Sequence, residues 1–406
     1  MSAQEEVKRS FLRWREIPGG VWALGTVSLL MDVSSEMIHA LLPLYLVTVL
    51  GTSMLTVGVI EGVAEATASI VKIFSGALSD KLGKRKLLAA IGYGLAAFTK
   101  PIFPLASGIG WLMAARFIDR IGKGIRGAPR DALVADLSPP ELRGASFGLR
   151  QSMDTVGAFL GPLLAIGLMY LAANNFTFVF WIAVIPAFLS FAVIVFAVRD
   201  PERSPAVRAV KSPLSLPEIQ RLGAAYWLVV MVATMFTLAR FSEAFLLLRA
   251  QSVGLSLALV PAVMVVMNLA YAFSAWPAGA LSDRIGRFGV LSVGFALLLI
   301  ADLLLALGGN IGVVALGAVL WGLHMGLTQG LLAALVADTA PPELRGTAFG
   351  MFNLVTGLAM LAASVIAGSL WDMVGAGGTF LAGAVFTAAA LAALPLLRRR
   401  LGADRA

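Results

Sequence analysis

Seven charged residues crowd one apolar stretch of the chain: Arg116, Asp119, Arg120, Lys123, Arg126, Arg130 and Asp131. On an α-helix, at 100° per residue, they fall within an arc of about 140°. Such a stripe can bind an anion or hold carboxylates in place. Turned toward hydrocarbon, its cations would together cost roughly 12–18 kcal/mol. They must therefore face the inside of a bundle or a wet cavity. Acids that can answer them sit at helical spacing elsewhere. Asp32, Glu36 and His39 share one helix face, Glu61, Glu65 and Lys72 another, and Arg150 and Asp154 follow. A carboxylate that loses and regains water as a cavity changes access can take up and release a proton. Asp32 and Glu36 are the first candidates for that work, then Glu61 and Glu65. His39, Arg116, Asp119, Lys123, Arg126 and Arg130 are candidates to line the substrate cavity. The plainer use of the same charges is mutual neutralisation that fixes helix packing.

The elements that must hold these side chains are membrane helices. Of 406 residues, 59% are hydrophobic and 13% charged, against roughly 25% charged in a soluble domain. Twelve apolar segments are predicted, at 22–47, 55–78, 87–105, 111–137, 145–171 and 177–198, then 226–252, 257–281, 290–307, 311–338, 347–373 and 379–397. The expected fold is an all-α membrane protein with residues 1–198 as one six-helix bundle and 223–406 as a second. A Pro-containing cytoplasmic linker, 199–222, joins them. The opening segment is too charged for a signal-peptide core and reads as a cytoplasmic lead-in.

Basic residues collect in alternate loops. Lys81, Lys84, Arg85 and Lys86 follow the second segment, Arg143 the fourth, Arg284 and Arg287 the eighth and Arg345 the tenth, while loops 51–53, 107–110 and 308–310 carry none. Lys100 stands apart as a mild exception. By the positive-inside rule both termini are cytoplasmic, in a cytoplasmic (inner) membrane. The net charge of +8 is thus a topology signal, and no nucleic-acid partner is expected. With no cysteine and two histidines, His39 and His324, no metal site is expected. No nucleotide-binding loop occurs either, so an enzyme is not expected.

The chain repeats itself. Residues 132–148 and 334–350 agree at thirteen of seventeen positions at an offset of 202. Gly76, Asp80, Lys81, Gly83, Lys84 and Arg85 are echoed by Gly279, Asp283, Arg284, Gly286 and Arg287 at an offset of 203. Aligned on its glycines, the second loop ends on Phe288 where the first has Arg85, which predicts a weaker loop. Two copies with an even number of segments lie parallel, an arrangement that puts a substrate site between them near the midplane. The copies are chemically unequal. Opposite Arg116, Arg120, Lys123, Arg126 and Arg130 stand Ala318, Gly322, Met325, Thr328 and Leu332. Arg240, Glu243 and His324 are the second copy's cavity candidates, and Arg240 and Glu243, one turn apart, are expected to pair locally.

The loop from Gly76 to Arg85 resembles the signature loop of the major facilitator superfamily. Asp136, Pro139, Arg143 and Gly144, with Asp338, Pro341, Arg345 and Gly346, resemble that superfamily's element after the fourth helix. The resemblance implies alternating access, with these loops as latches that stabilise one state. Arg120 through Ala128 resembles a proton-coupling motif of the family, with Lys123 and Arg126 replacing the usual Gln and Gly, so only Arg120 carries over. Gly157, Gly161 and Pro162 resemble an antiporter element, although such a run is also ordinary helix-packing material.

The expected function is therefore proton-coupled export of a drug or organic compound. It would need no cofactor beyond a proton gradient, and its partners would be a small-molecule substrate and the lipid bilayer, with the protein monomeric. The alternative is a proton-coupled transporter, with import as well as export open, of an organic anion, oxyanion or metal chelate; a lipid flippase or scramblase ranks third.

Overall fold

In the computed structural model, residues 16–82, 84–200, 216–341 and 344–403 are described, and every regular element among them is helical. The first set comprises α1 (Gly19–His39), α2 (Leu42–Thr48), α3 (Met54–Leu82), α4 (Arg85–Thr99), α5 (Ile102–Leu105), α6 (Ile109–Leu137), α7 (Arg143–Leu171) and α8 (Phe176–Phe196). After the short α9 (Leu216–Gln220) come α10 (Ala224–Ala239), α11 (Ala244–Ser252), α12 (Ala262–Ile285), α13 (Arg287–Leu307), α14 (Ile311–Thr339) and α15 (Arg345–Ala403). The lead-in and most of the expected linker lie outside the described residues. What is described of the linker docks on the bundle, where Glu218 of α9 accepts a hydrogen bond from Thr347 Oγ1 of α15 at 2.8 Å.

Nine of these helical stretches are long and apolar enough to cross a membrane. The expected α6 crossing is equally long but carries the charged stripe, and the apolar run described in α12 is short, Ala262–Ala275. The last two expected segments form one element, α15, which turns at Gly375 with φ +83°. Large apolar side chains on the outer faces, among them Phe98, Trp111, Phe117 and Trp181, are exposed, as a lipid-facing surface requires.

Three segments predicted as unbroken helices are broken. The first is interrupted at Ala40–Leu41, the third between Thr99 and Ile102, and the seventh between Ala239 and Ala244. Pro101 accounts for the second break, since it removes a backbone donor and crowds the preceding turn. Pro43, in the first turn of α2, acts in the same way at the first break, and the third falls at Arg240, Ser242 and Glu243, which line a chamber between the helix sets.

Close backbone approach sets the packing inside the first set. A Cβ on Gly122 of α6 would sit 2.7 Å from the Gly92 carbonyl oxygen of α4, and one on Gly92 would sit 2.7 Å from the Gly122 oxygen. Gly157 and Gly161 of α7 likewise lie against the backbone of α1 at Leu29 and Val33. Small residues permit such contact where no apolar driving force separates helix from lipid.

The two sets meet along α3 and α15. At the end opposite the duplicated loops, the Asp372 carboxylate of α15 caps the start of α3. It accepts from Met54 N–H at 3.0 Å and Leu55 N–H at 2.8 Å. The contact continues inward through Gly58 beside Ser364 to Ser69 beside Gly357. A second seam joins α7 to α12, where Asn268 Nδ2 donates to the Ala158 carbonyl at 3.1 Å.

Candidate functional site

The stripe on α6 turns into the first set of helices. Arg116, Asp119, Arg120 and Arg126 are each at most 5% exposed. Several levels of the stripe find partners on neighbouring elements. Arg116 Nη2 donates to Glu61 Oε2 of α3 at 2.7 Å, and Asp119 pairs with Lys100 at 2.9 Å. One turn on, Arg120 pairs with Glu65 of α3 at 3.1 Å. Near the loop end, Arg130 reaches Asp131 at 3.1 Å, Ser28 Oγ at 3.0 Å and Asp154 at 3.8 Å. Arg150 holds Asp154 from the adjoining turn.

His39 links two carboxylates, with Nδ1 3.4 Å from Glu36 and Nε2 3.5 Å from Glu61. It therefore joins α1 to α3 directly. Lys100, which reads in sequence as a misplaced loop cation, is fully buried at the break between α4 and α5 and also donates to Ser35 of α1 at 3.0 Å. An unwound helix end supplies room for its ammonium group to reach across, a feature that apolar patterning does not reveal.

Two adjoining chambers open between the helix sets. The larger, about 410 Å³, is lined by Asp32, Glu36, Glu65, Lys72, Lys123, Arg126, Arg130 and Asp154 from the first set and by Asn268 and Tyr271 from α12. The smaller, about 200 Å³, receives Glu36, His39, Glu65, Arg120 and Lys123 and, from the second set, Arg240 and Glu243. Glu36, Glu65 and Lys123 border both. Glu61, Arg116 and Asp119 are in neither lining and lie behind the cavity wall in their ion pairs.

Three expectations for the second set need correction. Arg240 and Glu243 form no ion pair with each other, because the helix stops between them. Gln329 of α14, with its amide oxygen turned toward Arg240, accepts from Nη2 at 2.9 Å and Nη1 at 3.1 Å. His324 lines neither chamber; it is buried beside Trp321 and Phe236, with ring centroids 5.5 Å and 5.9 Å away. The third correction concerns the loops. Arg287 does not match Lys84, as the glycine alignment suggests, but Arg85. Both open a helix and both bind the aspartate fifty-one positions on: Arg85 pairs with Asp136 at 2.9 Å, and Arg287 pairs with Asp338. The second loop is one residue shorter and turns at Gly286, whose φ of +79° suits a residue without a Cβ. It keeps its clasp. Arg85 also donates to the Ala132 carbonyl at 2.9 Å, and Arg345 Nε to that of Ala337 at 3.3 Å. Arg143 and Lys84 are exposed. Gly83 lies outside the described residues, as do the side chains of Asp80, Lys81, Asp283 and Arg284 and the surroundings of Gly279. Gly76 approaches Ala128 of α6, where an added Cβ would meet that side chain at 3.4 Å.

Asn268 and Tyr271 are cavity residues that the sequence reasoning did not single out, and Lys72, placed there on the face of Glu61 and Glu65, was not counted as a cavity residue. For Asn268 a signal existed, since it is the one amide in the apolar run Ala262–Ala275.

A bundle of apolar helices enclosing a charged cavity between two helix sets defines a membrane transporter. The sequence profile of the Major Facilitator Superfamily matches residues 24–363 and 244–405, and the chain belongs to that superfamily. It is 34% identical over 381 residues to the MFS-type transporter MJ1317 of Methanocaldococcus jannaschii, covering 91% of this chain and 93% of that one. Multidrug resistance protein MdtH of Edwardsiella ictaluri is 28% identical over 216 residues, 51% of this chain and 53% of MdtH. The crystal structure of the nucleoside transporter NupG superposes with a TM-score of 0.74 at 12% identity, over 94% of this chain and 99% of NupG; that likeness is one of fold.

Proposed function

We propose that this protein is a proton-coupled secondary transporter that exports a small organic compound by alternating access. The observation that carries the reading is the polar cavity between two helix sets whose seam, at the end away from the duplicated loops, is closed by the Asp372 cap on α3. Basic residues concentrate at the loop end, which by the positive-inside rule is cytoplasmic, so the cavity would load from the cytoplasm in this state. The partial match to MdtH supports export over import. Asp32 is the proton site. It lines the larger chamber, forms no ion pair among the described residues, and lies at the crossing of α1 and α7, where a Cβ on Gly157 would come within 2.9 Å of its own Cβ. A proton would neutralise it as the chamber closes and depart when water returns.

The test is flux into or out of proteoliposomes under an imposed pH gradient, with panels of organic anions and cationic dyes. Accumulation that follows the gradient and collapses with a protonophore is expected. Flux indifferent to the gradient would remove proton coupling from the proposal.

A further inference from the structure

Half of the charged residues that line the larger chamber are answered locally. Glu65 is held by Arg120, Glu36 by His39, and Asp154 by Arg130 and Arg150. Three cations are not. Lys72 and Lys123 are exposed to the chamber, and no carboxylate oxygen among the described residues lies within 4.0 Å of either. Arg126 is 5% exposed and rests on the Tyr93 ring, 4.9 Å from its centroid, while its Nη1 has no hydrogen-bond partner. An aromatic face steadies a guanidinium without neutralising it. The three lie together: a Cβ on Gly127, one turn beyond Lys123 and next to Arg126, would be 3.8 Å from Lys72 Cε. Against them stands one acid without an ion pair, Asp32.

Three like charges gathered in a partly desolvated chamber repel one another, and an unsatisfied buried guanidinium is costly. Both penalties are relieved by an anion that bridges them. Arginine offers a fixed fork to a carboxylate or phosphate, and lysine a movable point charge. Asn268 and Tyr271, on the facing wall, are neutral hydrogen-bonding groups suited to the uncharged part of the same solute.

We infer that Lys72, Lys123 and Arg126 form the anion-binding subsite of the cavity, and that the transported compound carries a carboxylate or phosphate group. The inference rests on the transport reading above and names its substrate class. A bound anion would draw α3 and α6 together at this level and meet α12 across the chamber, so loading itself would bring the two helix sets toward closure.

The test begins with binding to the purified full-length protein in detergent, followed by thermal unfolding. The probes are inorganic phosphate, citrate and benzoate, with tetraphenylphosphonium as the cationic comparator. At least one anion should raise the unfolding midpoint, less so as sodium chloride is added. Lys123→Gln and Lys72→Gln should each weaken that anion roughly tenfold or more, and Lys123→Arg should restore most of the binding. Both lysines face the chamber, so these variants should remain monodisperse; an Arg126→Lys variant supplies a third, charge-keeping comparison. Stabilisation by tetraphenylphosphonium alone, or anion binding untouched by Lys123→Gln, overturns the inference. Flux of the same probes keeps the two readings apart. Anion binding without flux of any probe retains the subsite and removes the transport reading. Tetraphenylphosphonium flux without anion binding does the reverse.

Discussion

Glu61 illustrates how residue-scale chemistry works in this fold. It is wholly buried, 2.7 Å from Arg116 and 3.5 Å from His39. Glu61→Gln would leave a buried guanidinium without its carboxylate, a loss of about 3–5 kcal/mol where such pairs have been broken. A clear fall in the thermal unfolding midpoint is therefore expected, with part of it recovered in the double variant with Arg116→Gln. Asp32→Asn should behave differently. It has no ion pair to lose, so folding should persist while gradient-driven flux disappears and substrate counterflow continues. Undiminished driven flux in that variant would falsify its assignment as the proton site. The sequence shows which face each charge occupies, but not which charge it meets. Arg116 could have met Asp32, Glu36 or Glu61 on spacing alone, and only the crossing of α3 with α6 decides it.

At the scale of elements, the fold was legible where hydropathy reports on burial and illegible where it does not. The apolar segments and the loops between them follow from the 18-residue apolar runs. The breaks do not, because an averaged hydropathy passes over single residues; Pro43 and Pro101 mark the first two, and Arg240, Ser242 and Glu243 mark the third. The α4–α6 contact makes a direct prediction. Gly122→Val would set a branched side chain against the Gly92 backbone, so a poorly folded or strongly destabilised protein is expected. Gly167→Ala, where an added Cβ meets nothing within 4 Å, should be neutral; size-exclusion profiles and melting curves of the pair check this. The Asp372 cap on α3 should be worth about 0.5–2 kcal/mol. Asp372→Ala should therefore loosen the seam. In this cysteine-free chain, a reporter cysteine at Met360, in the smaller chamber, should then react faster with a membrane-impermeant thiol reagent added at that end. An unchanged rate would mean that the cap does not seal.

For the whole molecule, the division into two helix sets implies that transport requires them to part along α3 and α15. Gly368 of α15 sits against Leu55 of α3, where an added Cβ would be 2.8 Å from the Leu55 Cα. A side chain there would also meet the Met54 carbonyl oxygen. Gly368→Leu should therefore wedge the seam and lower flux, with the protein still monodisperse on size exclusion. Flux equal to the parent's would rule out a need for this seam to close. The orientation of the repeats and the inequality of their charges were readable from the chain, because both are matters of pattern. The cavity was only half readable, since the second set contributes to it through isolated polar residues such as Asn268 and Tyr271 rather than through a charged stripe.

The arginine–aspartate clasp occurs twice, as Arg85 with Asp136 and as Arg287 with Asp338, whereas the cationic stripe of α6 has no counterpart on α14. A pairing shared by both copies is an inheritance from the single unit that doubled, and a feature found in one copy is where the copies have since diverged. The clasp thus dates from before the doubling, whereas the stripe records a gain in one copy or a loss from the other after it. Descendants of the same gene could alter the charged helix of one copy and leave the shared clasp untouched.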